Sequence, residues 1–318
     1  MTDCNLTSVA EGTVLSGGLL YQCGGAATMT RCNFSGGIAK NGGAFYAESA
    51  TVNATDCTFT DGKTSNSGNN VYLIKSTSEF EGCEFTITHS TANKFGGNLY
   101  CQAGTTQLEK CTITGGKSGD GGAMYSVNGT LNLDNTAFSG GYATSQGGNL
   151  MQKNGELRLT NGTTLTGGVS KSLGGNLSLS NTAKFYMGDG IIIRDGSAVS
   201  GGNIYASLVE ASTTAPVLNI SGGLITGGTA TENGGNINLV GLSGKLVTLN
   251  LTGGTVEKGT AEVGGGNILG TYATMNVSGT ALVSDGTSVK HGGGIYASTA
   301  STLNITGGTV TKLANGEN

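Results

Sequence analysis

The chain has 318 residues, of which 59 are glycine and one is proline (Pro216), with 11% charged residues and a formal net charge of −4. A mildly acidic, charge-poor surface without a basic stripe is a poor partner for phosphate backbones and argues against nucleic-acid binding. Glycines that recur at fixed places argue against disorder, and no apolar run is long enough for a membrane-spanning helix.

Met1 leads directly into Thr2-Asp3-Cys4-Asn5, without the charged and apolar regions of a signal peptide. Thr2-Asp3-Cys4-Asn5-Leu6-Thr7 already matches Thr55-Asp56-Cys57-Thr58-Phe59-Thr60, so residues 1–16 are expected to form a partial first coil. Next comes the recurring unit, Gly42-Gly43-Ala44-Phe45-Tyr46, which returns at 96–100, 121–125, 201–205 and 292–296. Weaker copies start at Gly17, Gly68, Gly147, Gly174, Gly234 and Gly265, and successive starts lie 25 to 33 residues apart. A period in this range is the signature of a solenoid.

Each repeat carries three apolar signals between turn-rich polar residues. The first follows the glycine pair: Leu20, Phe45, Val71, Leu99, Met124, Leu150, Leu177, Ile204, Ile237, Ile268, Ile295. The second is Met29, Ala54, Phe80, Leu108, Leu133, Leu159, Met187, Ile220, Leu251, Val277, Ile305. The third starts at Leu6 and continues Phe34, Phe59, Phe85, Ile113, Phe138, Leu165, Ile192, Ile225, Val256, Leu282, Val310. Local alternation, as in Leu303-Asn304-Ile305, means half-buried strands. The expected fold is all-β: a single-stranded parallel β-helix of about eleven coils, one continuous β-solenoid over 1–318. It is expected to be right-handed, as strand crossovers are. Coils stacked at the ~4.8 Å strand spacing give a rod roughly 50 Å long.

Columns of like residues are the candidate sites. Asn70, Asn98, Asn149, Asn176, Asn203, Asn236 and Asn267 share one column after the glycine turn, read as an outward ladder of amides bonding coil to coil. Cys4, Cys32, Cys57, Cys83 and Cys111 share another, later replaced by Thr136, Thr280 and glycines. Buried free thiols suit that column better than disulfides, and no ligand set supports zinc. Cys23 and Cys101 stand apart. Tyr21, Tyr46, Tyr72, Tyr100, Tyr125, Tyr205 and Tyr296 directly follow inward residues, so alternation points them outward as an aromatic strip. Such a strip serves protein packing or sugar stacking, unless the rings stack on one another or lie under a neighbouring loop.

Other patterns point to structure. Asp3, Arg31, Asp56, Gly82 and Lys110 alternate in charge and read as an ion ladder. Glu79, Glu81 and Glu84 cluster within one coil, with no base and no acid from a second coil, and His89 and His291 stand alone. No catalytic residue, cofactor or metal is therefore assigned. Thr58/Thr60, Thr112/Thr114, Thr164/Thr166 and Thr309/Thr311 suggest an ice-binding array, broken at Glu84, Ala137, Ile193, Glu257 and Val283. The sequons at Asn219, Asn250, Asn276 and Asn304 share a column too crowded for full glycosylation and read as a polar ladder. The long coils in 201–263 are expected to carry protruding, neighbouring loops at 207–215 and 240–245.

Asn33-Phe34-Ser35-Gly36-Gly37 followed by Gly42-Gly43-Ala44-Phe45-Tyr46, and Ile113-Thr114-Gly115-Gly116 followed by Gly121-Gly122-Ala123-Met124-Tyr125, resemble the repeats of polymorphic outer membrane proteins. That resemblance implies a pectate-lyase-like β-helix with an adhesive role at a bacterial surface. The family's membrane barrel has no matching stretch. The combined expectation is an extracellular or cell-surface, non-enzymatic rod that joins end to end with copies of itself into a filament. The end-to-end expectation rests on a chain that enters in mid-coil and runs out at a turn position, with no capping segment at either terminus. Host or environmental glycans or proteins are its other expected partners. The alternative is a carbohydrate-binding or carbohydrate-active β-helix using the tyrosine strip.

Overall fold

The computed structural model describes residues 1–8, 14–89, 93–209, 212 and 214–311. Among these residues every regular element is a strand, and every pairing between named strands is parallel. The strands form a β-solenoid. One sheet has 30 strands and the other has 11.

The larger sheet holds the three expected ladders. In the first, Leu20, Phe45, Val71 and Leu99 stand in register. In the second, Met29, Ala54, Phe80 and Leu108 do. In the third, Leu6, Phe34, Phe59 and Phe85 do. Some strands turn a corner without breaking: Val71–Glu81 serves the first and second ladders, and Val217–Thr226 the second and third. The inward side chains make one core running from Ala27 to Val283. Phe34, Phe59 and Phe85 stack face to face within it, with centroids 4.7 and 5.1 Å apart.

Two details of the third ladder differ from expectation. Ile193, not Ile192, pairs with Ile225, and Val283, not Leu282, pairs with Val256. The corner before each holds one extra residue, so the inward position moves on by one. The position two residues before Val283 is accordingly Ala281, and Thr280 leaves the cysteine column.

The 11-stranded sheet is a fourth ladder that the three-signal reading lacks. It includes Ile38–Asn41, Lys117–Asp120, Ser197–Ser200 and Thr260–Ala261. Its inward residues are mostly small: Ala39, Ser118, Ala143, Ser170, Ala198, Ala230 and Ala261 are all buried, with Thr64 and Asn93 the larger buried members of the same column.

The glycine pair explains why small residues are needed there. The first glycine has a left-handed backbone, as at Gly201 with φ +67°, which suits a residue without Cβ. The second is a close-approach position: a Cβ at Gly202 would collide with the carbonyl oxygen of Gly235 and the amide of Thr229. Gly196, which opens the fourth strand of the preceding coil, would strike the carbonyl of Gly202 in the same way. The solenoid is thus pinched at a waist of facing glycines, where backbone meets backbone.

Candidate functional site

The asparagine column lies inside this waist, which corrects its outward placement. The bend at the glycine pair shifts the inward/outward alternation, so both Asn203 and the following Ile204 are fully buried. Asn70 donates to Asn98, and Asn149, Asn176, Asn203 and Asn236 each donate to the next asparagine, ending at Asn267, at 2.7–2.8 Å. Ala123 interrupts the column between Asn98 and Asn149. Each later Oδ1 also accepts a glycine N–H, as from Gly196 to Asn203 at 3.0 Å. The second Nδ2 proton goes to a backbone carbonyl, as from Asn203 to Thr226 at 2.8 Å. These amides are fully used in holding coils together.

The tyrosine column is in register as expected, with Tyr21, Tyr46, Tyr72, Tyr100 and Tyr125 on successive coils. It does not form an exposed strip. Ring centroids lie 5.2, 5.0, 4.4 and 5.6 Å apart in parallel stacks, so each ring hides its neighbours' faces. Phe95 of the fourth ladder closes the flank, 4.8 Å from Tyr125. Tyr46, Tyr100 and Tyr205 are each 8% exposed and Tyr125 6%, whereas Tyr21 on the first coil is 50% exposed. Tyr72 and Tyr296 are half-buried. Burial pushes up the phenols of Tyr46, Tyr72, Tyr100, Tyr125 and Tyr205, that of Tyr125 to about 12. Tyr46 donates to Glu48 at 3.4 Å and Tyr100 to Gln102 at 3.1 Å.

All seven cysteines are free; Cys32, Cys57, Cys83, Cys101 and Cys111 are buried, Cys4 is partly so, and Cys23 is exposed. The sulfurs of the column act as hydrogen-bonding groups. Cys57 Sγ accepts the Cys32 amide and Cys83 Sγ the Cys57 amide, each at 3.4 Å. Thr136 and Thr163 continue the pattern with hydroxyls, accepting the amides of Cys111 and Thr136 at 3.3 Å. Thiol and hydroxyl here do one job, which is to receive a backbone N–H turned inward at the corner.

The ion column holds at its first rung, where Arg31 grips Asp3 at 2.7 and 2.9 Å. Asp3, Arg31, Asp56 and Lys110 all have positive φ of 49–53°, so the column marks a left-handed corner. Lys110 turns instead to Glu81 and Glu109, at 3.1 and 2.9 Å. Register places Glu109 beside Glu81 on the next coil. An acid from a second coil therefore does join this cluster, against expectation, with a lysine between the two. Glu79 and Glu84 are exposed on the same coil. His89 Nε2 lies 3.0 Å from the Gly62 carbonyl, and the His291 ring lies 5.1 Å from that of Tyr296.

The outer polar columns behave as ladders. Asn250, Asn276 and Asn304 each donate to the preceding sequon asparagine at 2.8–2.9 Å. Ser35, Thr60, Thr86, Thr114, Ser139 and Thr166 make an unbroken run of hydroxyls, and only the companion column carries Glu84 and Ala137. Ile193 and Val283 face inward and do not interrupt the threonine array. The two long-coil loops meet where Lys245 Nζ donates to the Ser212 carbonyl at 2.7 Å. Leu208 is buried and Ala215 packs on the core, so the 207–215 loop does not protrude from its first residue to its last. Residues 210, 211 and 213 of that loop lie outside the described residues.

One grouping escaped the sequence reading. The Arg158 guanidinium sits 4.2 Å over the Tyr186 ring and pairs with Glu156. Asn161, Asp189 and Asn219 line an open groove around them. The only sequence signal is the lengthened corner between Met187 and Ile193. Among the described residues, exposed large apolar side chains gather at the two ends: Met1, Val14, Leu15 and Tyr21 at the first coil, Val289, Ile305 and Val310 at the last. Between them only Val169 and Val209 are exposed. No group of three or more His, Cys, Asp or Glu among the described residues is placed to hold a metal, and no helix is long and apolar enough to cross a membrane. No protein-family model and no curated protein matches the chain.

Proposed function

We propose that the chain is a non-enzymatic structural or adhesive rod, working outside the cell or at its surface, that stacks end to end with copies of itself. The observation that carries this reading is the gathering of exposed apolar side chains at the first and last described coils. An open solenoid end is a slice of core edged by unpaired strand groups, and such an end is the natural seat of one more coil. Amide, thiol and hydroxyl ladders commit the interior to stacking and suit a load-bearing element. The adhesive and surface parts rest on the repeats' resemblance to polymorphic outer membrane proteins. Negative-stain microscopy and sedimentation of the 318-residue chain over a concentration series test it. Filaments that lengthen with concentration are expected; single short rods throughout would end the stacking reading.

A second reading is favoured by the Arg158–Tyr186 groove. A fork of N–H donors, a phenol and amides on an open face is the equipment of a carbohydrate-binding surface. With the tyrosine column stacked on itself, this groove replaces it as the seat of sugar recognition. A glycan array with Tyr186→Ala as control tests binding. A polysaccharide-cleavage assay with Glu79, Glu81 and Glu84 changed to glutamine separates an enzyme from a binder.

A further inference from the structure

Resting on the stacking reading, we infer that the junction between copies keeps the register of the coils. Ile295, Tyr296 and Val310 of one copy seat against Leu20, Tyr21 and Leu6 of the next, and the tyrosine column runs through the joint.

Four observations lead here. Within the chain the coils keep one register from rung to rung, and from Tyr21 to Tyr125 that register stacks tyrosine on tyrosine, before Met151, Ser178, Asn238 and Leu269 enter the column. Tyr21 ends that stack with one neighbour, Tyr46, and is 50% exposed where stacked Tyr46 is 8%. Tyr296 occupies the same column on the last described coil, over Leu269. Among the described residues the strands beside them have one partner each: Leu20–Cys23 pairs with Phe45–Glu48, and Ile295–Ala297 with Ile268–Thr271.

Among the described residues the third ladder repeats this at Asn5–Thr7 and Thr309–Val310, each paired on one side. A head-to-tail joint keeps all strands parallel and sets Ile295 on Leu20 and Val310 on Leu6, aliphatic on aliphatic. A head-to-head joint would reverse strand direction and break every column. The contact is heterologous, so it propagates without closing.

Tyrosine photocoupling tests the register. Photo-oxidised tris(bipyridine)ruthenium takes one electron from each phenol as a proton leaves; two phenoxyl radicals then join through ring carbons, and persulfate is the terminal oxidant. Within one copy Tyr21 and Tyr296 stand at opposite ends of the described coils, roughly 50 Å apart at the strand spacing. A Tyr21–Tyr296 cross-link therefore forms only between copies. Expected are concentration-dependent covalent multimers whose joined peptides carry Tyr21 and Tyr296. Tyr21→Phe should lose that cross-link while filaments persist in micrographs, since phenylalanine still stacks. Filaments with inter-copy cross-links only elsewhere, as at Tyr142 or Tyr272, would overturn the register and leave stacking standing. Single rods without inter-copy cross-links, as when another segment or partner covers the ends, would overturn both.

Discussion

Asn203 donates its side-chain amide to Asn236 of the next coil at 2.7 Å, and neither residue is exposed to solvent. Asn203 also receives Asn176 and the Gly196 amide, and it donates to the Thr226 carbonyl. One side chain thus ties three coils and both walls of the waist.

Asn203→Leu keeps the size but leaves the Gly196 N–H and one Asn176 Nδ2 proton without an acceptor, while the Asn236 Oδ1 keeps the Gly228 amide and the Thr226 carbonyl keeps the Asp195 amide. Each buried polar group left unsatisfied costs about 1–3 kcal/mol. The variant should lose several kcal/mol in chemical denaturation, with faster amide exchange at Gly196 and its neighbours. Asn304→Leu, in the exposed outer ladder, should change stability by under about 1 kcal/mol. Equal effects would mean that the inner ladder is not special.

Gly202→Ala tests the waist, because its Cβ would meet the backbone of Gly235 and Thr229. Backbone cannot step aside as a side chain can, so the expected cost is at the upper end of the ~1–3 kcal/mol of overpacking. Gly188→Ala is the contrast: nothing lies within 4 Å of its Cβ and its φ is not left-handed. It should be neutral or gain about 0.4–1 kcal/mol by restricting the unfolded chain. Thermal melts of the two variants should move apart.

The first three ladders were legible because large apolar residues mark them. The fourth was not, since Ala143, Ser170 and Ala230 carry no hydrophobic signal; only the close approach of the walls demands their smallness. Positions were misread wherever alternation meets a bend. Ile192 replaced Ile193 because a corner grew by one residue, and Asn203 was placed outside because the glycine turn resets the phase. The tyrosines were placed in the right column, but alternation says nothing of what stands beside a ring. Burial there comes from the rungs above and below and from Phe95, a contact made only by folding. The lysine-bridged pair Glu81 and Glu109 needed the register of two coils to be seen at all.

The cysteine column gives a labelling pattern. Cys32, Cys57, Cys83, Cys101 and Cys111 are buried, and burial pushes the Cys101 thiol up to about 12. Burial keeps the reagent from these sulfurs, so all five should resist iodoacetamide at neutral pH in the native protein, Cys111 included although its hydrogen bond with Cys83 lowers that thiol's pKa. Cys23 should react readily and Cys4 slowly, with all seven reacting in denaturant. Rapid native labelling of Cys57 or Cys83 would contradict the ladder. Cys57→Thr should be tolerated, because Thr136 and Thr163 already hold the equivalent bonds downstream.

Asp120 and Tyr125 make stability fall with rising pH in two separate windows. Burial raises the Asp120 carboxyl above its usual range, and its Oδ1 has no hydrogen-bond partner. A folded pKa above the unfolded one means that the native state holds a proton the unfolded chain releases. Its contribution is complete below the unfolded pKa and is lost as pH climbs through the folded value. Asp120→Asn removes that penalty, so its melting temperature should exceed the wild type's at neutral pH, with the gap closing in acid. Tyr125 has the same sign at higher pH. Burial, then the nearby Asp120 charge, raises its phenol to about 12, against about 10 for a free tyrosine. Its share of stability is intact below about pH 10 and drains away between about 10 and 12. Tyr125→Phe should match the wild type's pH dependence up to about 10 and fall less steeply beyond. Because the Asp120 charge contributes to Tyr125's shift, Asp120→Asn should also bring phenol ionisation, followed by ultraviolet absorbance, to lower pH. An Asp120→Asn melting gap that widened in acid would reverse the sign and refute the assignment.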